Sequence, residues 1–139
     1  MTIAQAPSFD GRPTIYLVDT ESDALSELAL SAEHVHPQSS AMLRAEIDRA
    51  ELRASGDLPD RTVRMQSRVD FVDESTGARR TVQLVYPRDA DIAAGRVSIL
   101  TPIGAGLIGM VAGSSIRWPD RDGSNRLLRI VEVTPSDEA

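Results

Sequence analysis

Three groups of residues in this chain have types and spacings that chemistry can use. Gly104-Ala105-Gly106-Leu107-Ile108-Gly109 has the G-x-G-x-x-G spacing that lets a backbone cradle a dinucleotide pyrophosphate. His34 and His36 flank Val35, with Glu33 beside them, which puts two imidazoles and a carboxylate within reach of a metal ion. Asp89/Asp91 and Asp120/Asp122 are paired carboxylates. Each group has to be weighed against the elements around it.

The glycine motif fails the test of context. A dinucleotide site needs a βαβ unit of about 30 residues, with an acid roughly 20 residues past the glycines to hold the ribose. Here a strand begins again near Ser114, only 26 residues follow Gly113, and Asp122 comes too soon. A parallel crossover needs a dozen or more residues. The glycines therefore read as packing positions, where a short helix lies close to a strand. Such contact offsets the roughly 1 kcal/mol that each glycine costs in a helix interior. The histidines have no distant third ligand, so Glu33, His34 and His36 read as solvated residues of a turn. The aspartate pairs sit in turn-rich loops and read as solvated. Serine, histidine and aspartate all occur, but no G-x-S-x-G elbow is present, and Gly113-Ser114-Ser115 reads as a turn into a strand. Trp118, on an alternating strand, reads as core.

The elements that hold these residues follow from periodicity. Residues 1–11 form a polar leader. Thr14 to Val18 is a β-favouring run, and Thr20 is placed to cap a helix with acids in its first turn. Leu25, Leu28, Ala29, Ala32 and Val35 recur at helical spacing, with Leu30 off that stripe. Pro37 breaks the helix. Ser39 or Ser40 can cap a second one carrying Leu43, Ile47, Ala50 and Ala54. Two arms of about 14 residues joined by a polar turn make an antiparallel helical hairpin, each arm ~20 Å long. Gly56 to Asp60 is the linker. Strands are expected over Thr62–Val72, Arg80–Tyr86, Val97–Leu100, Ser114–Trp118 and Leu127–Thr134, with a turn at Asp73–Gly77. Pro102 sits at a first helical position behind a Thr101 cap, and Ile103, Leu107 and Met110 form a one-sided stripe. The tail from Pro135 is polar. The fold class is α+β: residues 1–60 form a short strand and a helical hairpin, and residues 61–139 a small antiparallel sheet crossed by one short helix.

Composition narrows the function classes. The chain has no cysteine, so disulfides and thiolate metal sites are excluded. No apolar run approaches the roughly 20 residues of a membrane span. The N-terminus lacks a basic stretch followed by an apolar one, so a cytoplasmic location is expected. The net charge of −6 is unevenly placed: residues 1–60 carry four Arg against eleven acids, and residues 61–139 eleven Arg against ten. Every cation is Arg and none is Lys, which reads as compositional bias. The acidic first half argues against sequence-independent nucleic-acid binding and favours a partner with a basic surface.

Several segments, taken in order, carry a likeness. RPTIYLVDTESDALSEL (12–28), AMLRAEIDRA (41–50), VRMQSRVDF (63–71), TVQLVYP (81–87), SILTPIGAGLIGM (98–110) and IRWPDRDGSNRLLRIVEV (116–133) span nearly the whole chain. The sequence resembles the regulator of nucleoside diphosphate kinase (Rnk) family, which is related to the C-terminal domains of the Gre transcript-cleavage factors. The resemblance implies an FKBP-like C-terminal domain, an N-terminal antiparallel coiled coil, and RNA polymerase as partner, bound at the rim of its secondary channel. By analogy with the Ser-Pro segment of Gre proteins, it places the docking surface at Thr101, Pro102 and Ile103.

Two departures set the expected mechanism. In the Gre relatives a much longer coiled coil carries acids to the catalytic Mg²⁺, whereas arms of ~20 Å do not reach a deeply buried site. The tip, Ser31 to His36, also lacks the spaced Asp-x-x-Glu pair, and Glu33 alone offers one carboxylate where a two-metal site needs several oxygen ligands. Ser114 departs as well, at a turn where relatives carry an acid after the glycine retained here as Gly113. The expectation is a non-enzymatic, cofactor-free monomer that competes with Gre-type factors, with no direct nucleic-acid contact and no membrane association. Two alternatives belong to other classes. A peptidyl-prolyl isomerase would need a pocket lined by several aromatics, yet only Phe71, Tyr86 and Trp118 occur in the second segment. A regulator of nucleotide metabolism would need a phosphate site, and none is visible.

Overall fold

The computed structural model describes residues 13–119 and 125–135. The leader, the Asp120/Asp122 pair, the tail beyond Pro135 and the Trp118 side chain lie outside the described residues.

Strand β1 (Tyr16–Val18) runs directly into helix α1 (Asp19–Ser31). Thr20 is not the cap. The helix starts at Asp19, two residues before a Thr20 cap would place it, behind an extended Val18 with no side-chain cap, and the Asp19 carboxylate accepts the Thr20 N–H at 2.7 Å. Leu25, Ala29 and Ala32 are buried. Val35 departs from the expected stripe at 73% exposure, because α1 ends at Ser31 and the turn carries Val35 away from the core; Leu30 is exposed too. Helix α2 (Pro37–Arg49) begins with Pro37 in its first turn and His36 as N-cap. Ser39 and Ser40 are therefore buried in the first turn instead of capping it. The pre-set φ of proline suits that first position, where no N–H is needed.

The second helix is shorter than its apolar spacing predicts. It stops at Arg49, and Ala50 and Ala54 lie beyond it. Strand β2 (Glu51–Arg53) takes their place, pairing in parallel with β1 from Tyr16↔Glu51 to Val18↔Arg53. The Glu51 N–H donates to the Ile15 carbonyl at 2.9 Å. Alanine is compatible with either conformation, and a non-local pairing decides it. At the same end the fully buried Glu46 accepts two hydrogen bonds from Arg49, at 2.7 and 3.0 Å, while Arg49 also donates to the Pro13 carbonyl.

The rest of the chain forms β3 (Arg68–Asp73), β4 (Ala78–Val85), β5 (Arg96–Ser98), α3 (Pro102–Leu107), β6 (Ser115–Pro119) and β7 (Asn125–Thr134). The five strands lie in the order β5-β4-β3-β7-β6. All pairs are antiparallel except β4–β5, which is parallel. The turn Asp73–Gly77 closes β3 onto β4, with Gly77 at a φ of +80° that suits glycine. The strand expected from Thr62 begins only at Arg68. Before it, Val63 bonds the segment after α3, donating to the Met110 carbonyl at 2.8 Å and accepting the Gly109 N–H at 2.9 Å. Val69, Phe71, Val82, Leu84, Ile116 and Ile130 line one face of the sheet, and a single core continues from them through Leu107 and Met110 to Leu25 and Leu43 of the hairpin. Helix α3 packs against α2 as well as β5 and β6.

Candidate docking site

The segment Ser98–Gly104 is a tightly wired corner. Thr101 is extended, and its hydroxyl donates to the Ser98 carbonyl at 2.7 Å while accepting the Gly104 N–H at 3.1 Å. The Ser98 hydroxyl accepts the Leu100 N–H at 2.9 Å. The expected Thr101 cap and first-turn Pro102 are both present. Pro102 is buried, whereas Thr101 and Ile103 keep part of their surface in solvent. Of the three residues expected to dock, two can touch a partner and the third shapes the corner.

The glycines hold that corner against its surroundings. A Cβ on Gly104 would lie 2.2 Å from the Ser98 carbonyl oxygen, and one on Gly109, at φ +80°, would lie 3.0 Å from both the Ile15 Cβ and the Tyr16 carbonyl oxygen. The Tyr16 N–H donates to the Gly109 carbonyl at 3.0 Å. Gly104 lets α3 press onto β5, and Gly109 lets the chain press onto β1. Gly104 and Gly109 are close-packing positions, as expected.

The hairpin tip is a separate feature. Glu33 lies 3.5 Å from Arg44 of α2, with both side chains about half exposed, and His34 and His36 are exposed. Among the described residues no group of three or more His, Cys, Asp or Glu is arranged to hold a metal. Asp89 and Asp91 are exposed, and Asp91 lies 3.6 Å from Arg96, in keeping with a solvated loop. On α1, Asp19, Asp23 and Glu27 recur every four residues and are all exposed. None forms an ion pair among the described residues. Like charges at this spacing cost a helix about 0.2–0.5 kcal/mol each. Asp19 lies in the first turn, where the helix dipole favours an acid, whereas Glu27 lies beyond it and gains no such support.

One group escapes sequence reading altogether. Glu21 of α1 lies 3.5 Å from Arg64, 43 residues further along the chain, and ties the hairpin to the lead-in to β3. Tyr86, at the end of β4, is half-buried beside them; its phenol is pushed up by burial and further by the Glu21 charge. One oxygen of Glu21 and the Nε of Arg64 are buried without a partner. No local pattern marks three residues that only the tertiary fold assembles. A groove of about 420 Å³ runs between 55–64 and 132–135; its two arginines are held, Arg61 by Glu132 at 3.5 Å and Arg64 by Glu21.

With this geometry in place, similarity to known proteins is informative. Residues 58–135 match the family "Transcription elongation factor, GreA/GreB, C-term". The regulator of nucleoside diphosphate kinase of Escherichia coli K12 is 32% identical over 128 residues, covering 92% of this chain and 94% of that protein. The transcription elongation factor GreA of Azorhizobium caulinodans is 34% identical over 130 residues, covering 88% of this chain and 82% of that protein. A solved structure, the GreA/GreB elongation factor of Nitrosomonas europaea, superposes with a TM-score of 0.69 at 35% identity, covering 89% of this chain and all of that one. The α+β fold is that of this group.

Proposed function

The chain belongs to the GreA/GreB C-terminal family, in the branch that resembles the regulator of nucleoside diphosphate kinase, and on that premise we propose that it is a transcription regulator that binds RNA polymerase at the rim of the secondary channel without stimulating transcript cleavage. The hairpin carries this reading. Its helices have 13 residues each, which gives arms of ~20 Å. The tip offers one carboxylate, Glu33, and Arg44 already faces it. Cleavage by the Gre route needs a long reach and several oxygen ligands around a second metal ion, and this tip has neither.

Docking falls to the corner after β5. Thr101 and Ile103 present side chains from a backbone fixed by the Ser98 and Thr101 hydrogen bonds, so little ordering cost is left to binding. The Asp19–Asp23–Glu27 stripe supplies a negative face for a basic surface at the channel mouth, where complementary charge acts mainly on encounter and orientation. The prolyl-isomerase alternative gains no support from the 55–64/132–135 groove, whose lining holds no aromatic side chain.

The test is a competition. Core polymerase paused in a backtracked complex is given a Gre factor, and this protein is titrated in. Inhibition of cleavage, with no cleavage by this protein alone, is the expected result. Enhanced cleavage, or failure to bind core polymerase in a pull-down, overturns the proposal.

A further inference from the structure

The sheet has a second face, which the core does not use. Strand register places Arg79, Val72, Arg129 and Ser115 in one row across β4, β3, β7 and β6. Arg117 lies two residues along β6 from Ser115, and Arg68 lies four residues along β3 from Val72, both on the same face. Arg96 of β5 pairs with Gln83, which pairs with Arg68. Five arginines thus share one side of a five-stranded sheet. Neighbouring strands lie about 4.8 Å apart, so Arg79 and Arg129 stand ~10 Å apart across Val72.

Three of the five have acidic neighbours: Arg79 with Asp70 at 3.7 Å, Arg96 with Asp91 at 3.6 Å, and Arg129 with Glu74 at 2.6 Å. Arg68 and Arg117 are exposed and pair with no acid among the described residues. Val72 and Leu127 sit half-buried between the charges. In a chain of net charge −6, this is a cationic face with an apolar floor, on the opposite side of the sheet from the packed core.

We propose that this open face is an interaction surface for an acidic protein segment, and that it forms a second contact with the polymerase beside the docking corner. The guanidinium fork matches a carboxylate in two-point geometry, and Arg68 and Arg117 have that capacity free. Two features favour protein over nucleic acid. Asp70 and Glu132 interrupt the arginines, which suits a surface bearing separate carboxylates better than a continuous polyanion. No aromatic side chain is placed on this face among the described residues, so it offers no platform for stacking bases.

This inference rests on the polymerase reading, and its test separates the two. Full-length wild type and the double variant R68E/R117E are titrated against purified core polymerase between about 50 and 300 mM salt. The expected result is at least tenfold weaker binding at low salt for the variant, with a flatter salt dependence. R68Q/R117Q, which removes charge without reversing it, should fall between the two and stands in should the reversal disturb folding. The chain has no cysteine, so T81C gives a unique crosslinking site at the centre of the face, and its crosslinks should map to Asp/Glu-rich polymerase peptides. Wild type that does not bind polymerase overturns the functional reading, and this proposal with it. Wild type that binds, with both double variants binding equally well, overturns this proposal alone. A labelled single-stranded RNA bound by wild type and released by R68E/R117E overturns it in favour of nucleic acid.

Discussion

A methyl group added at position 104 would lie 2.2 Å from a backbone carbonyl oxygen, and 3.0 Å from the Ile99 Cα. Neither atom belongs to a flexible side chain, so the strain must move α3 or β5. Gly104→Ala is expected to destabilise the protein by about 3 kcal/mol, read as a lower urea midpoint at unchanged slope. Gly56→Ala, with nothing within 4 Å of its Cβ, is the matched control and should change little. A second residue-scale effect is electrostatic. The hydrogen bond from Arg126, at 2.6 Å, holds the Asp73 carboxyl below its usual range, and the Ser75 N–H adds to this at 2.9 Å. A depressed folded-state pKa gives stability that is present above the unfolded value, near 3.9, and is lost as pH falls through the folded one. Asp73→Asn should therefore cost about 1 kcal/mol at neutral pH. The gap to wild type should begin to narrow as pH falls below about 4 and close only below the depressed folded-state value, checked by urea unfolding across the acid range.

Between secondary elements, what the sequence reveals depends on whether a contact is local. The two helical arms, the Asp73–Gly77 turn and the Thr101-Pro102 helix start were readable because each is fixed by residues within a few positions of itself. Strand β2 was not readable, since Ala50 and Ala54 continue a helical stripe and only pairing with β1, 35 residues earlier, makes Glu51–Arg53 extended. The parallel β4–β5 edge was hidden for the same reason. So was the arginine face, whose five members come from five separate strands and meet only through register. The candidate corner was legible as a motif, but the burial of Pro102 was not. The junction of α2 and β2 gives an element-scale prediction. Glu46 is fully buried, and Arg49 holds it and the Pro13 carbonyl together. Arg49→Met leaves a buried carboxylate without that partner and should cost about 3–5 kcal/mol, whereas Glu46→Leu with Arg49→Met should recover much of the loss. Thermal unfolding of the single and double variants checks this. Equal destabilisation in both would show that the junction depends on packing and not on charge.

For the whole molecule, charge and length act together. The acids are shared almost evenly, eleven in residues 1–60 and ten in 61–139, but eleven of the fifteen arginines lie in 61–139, so a net-negative hairpin is set against a sheet face rich in arginine. A partner that meets both ends has to offer a basic patch and an acidic one, which fixes the orientation of docking more firmly than either charge alone. Length then decides what the oriented hairpin can do. If the missing tip acids were the sole barrier to cleavage, adding one would supply activity. His36→Asp places a second carboxylate three residues after Glu33, in an exposed turn that tolerates polar change. The reach is unchanged, because α1 and α2 still have 13 residues each. His36→Asp is therefore expected to behave as proposed for the wild type, competing with a Gre factor and giving no cleavage of a backtracked complex. Transcript cleavage by this variant would show that a ~20 Å arm reaches the catalytic metal, and that tip chemistry alone separates this protein from the cleavage factors.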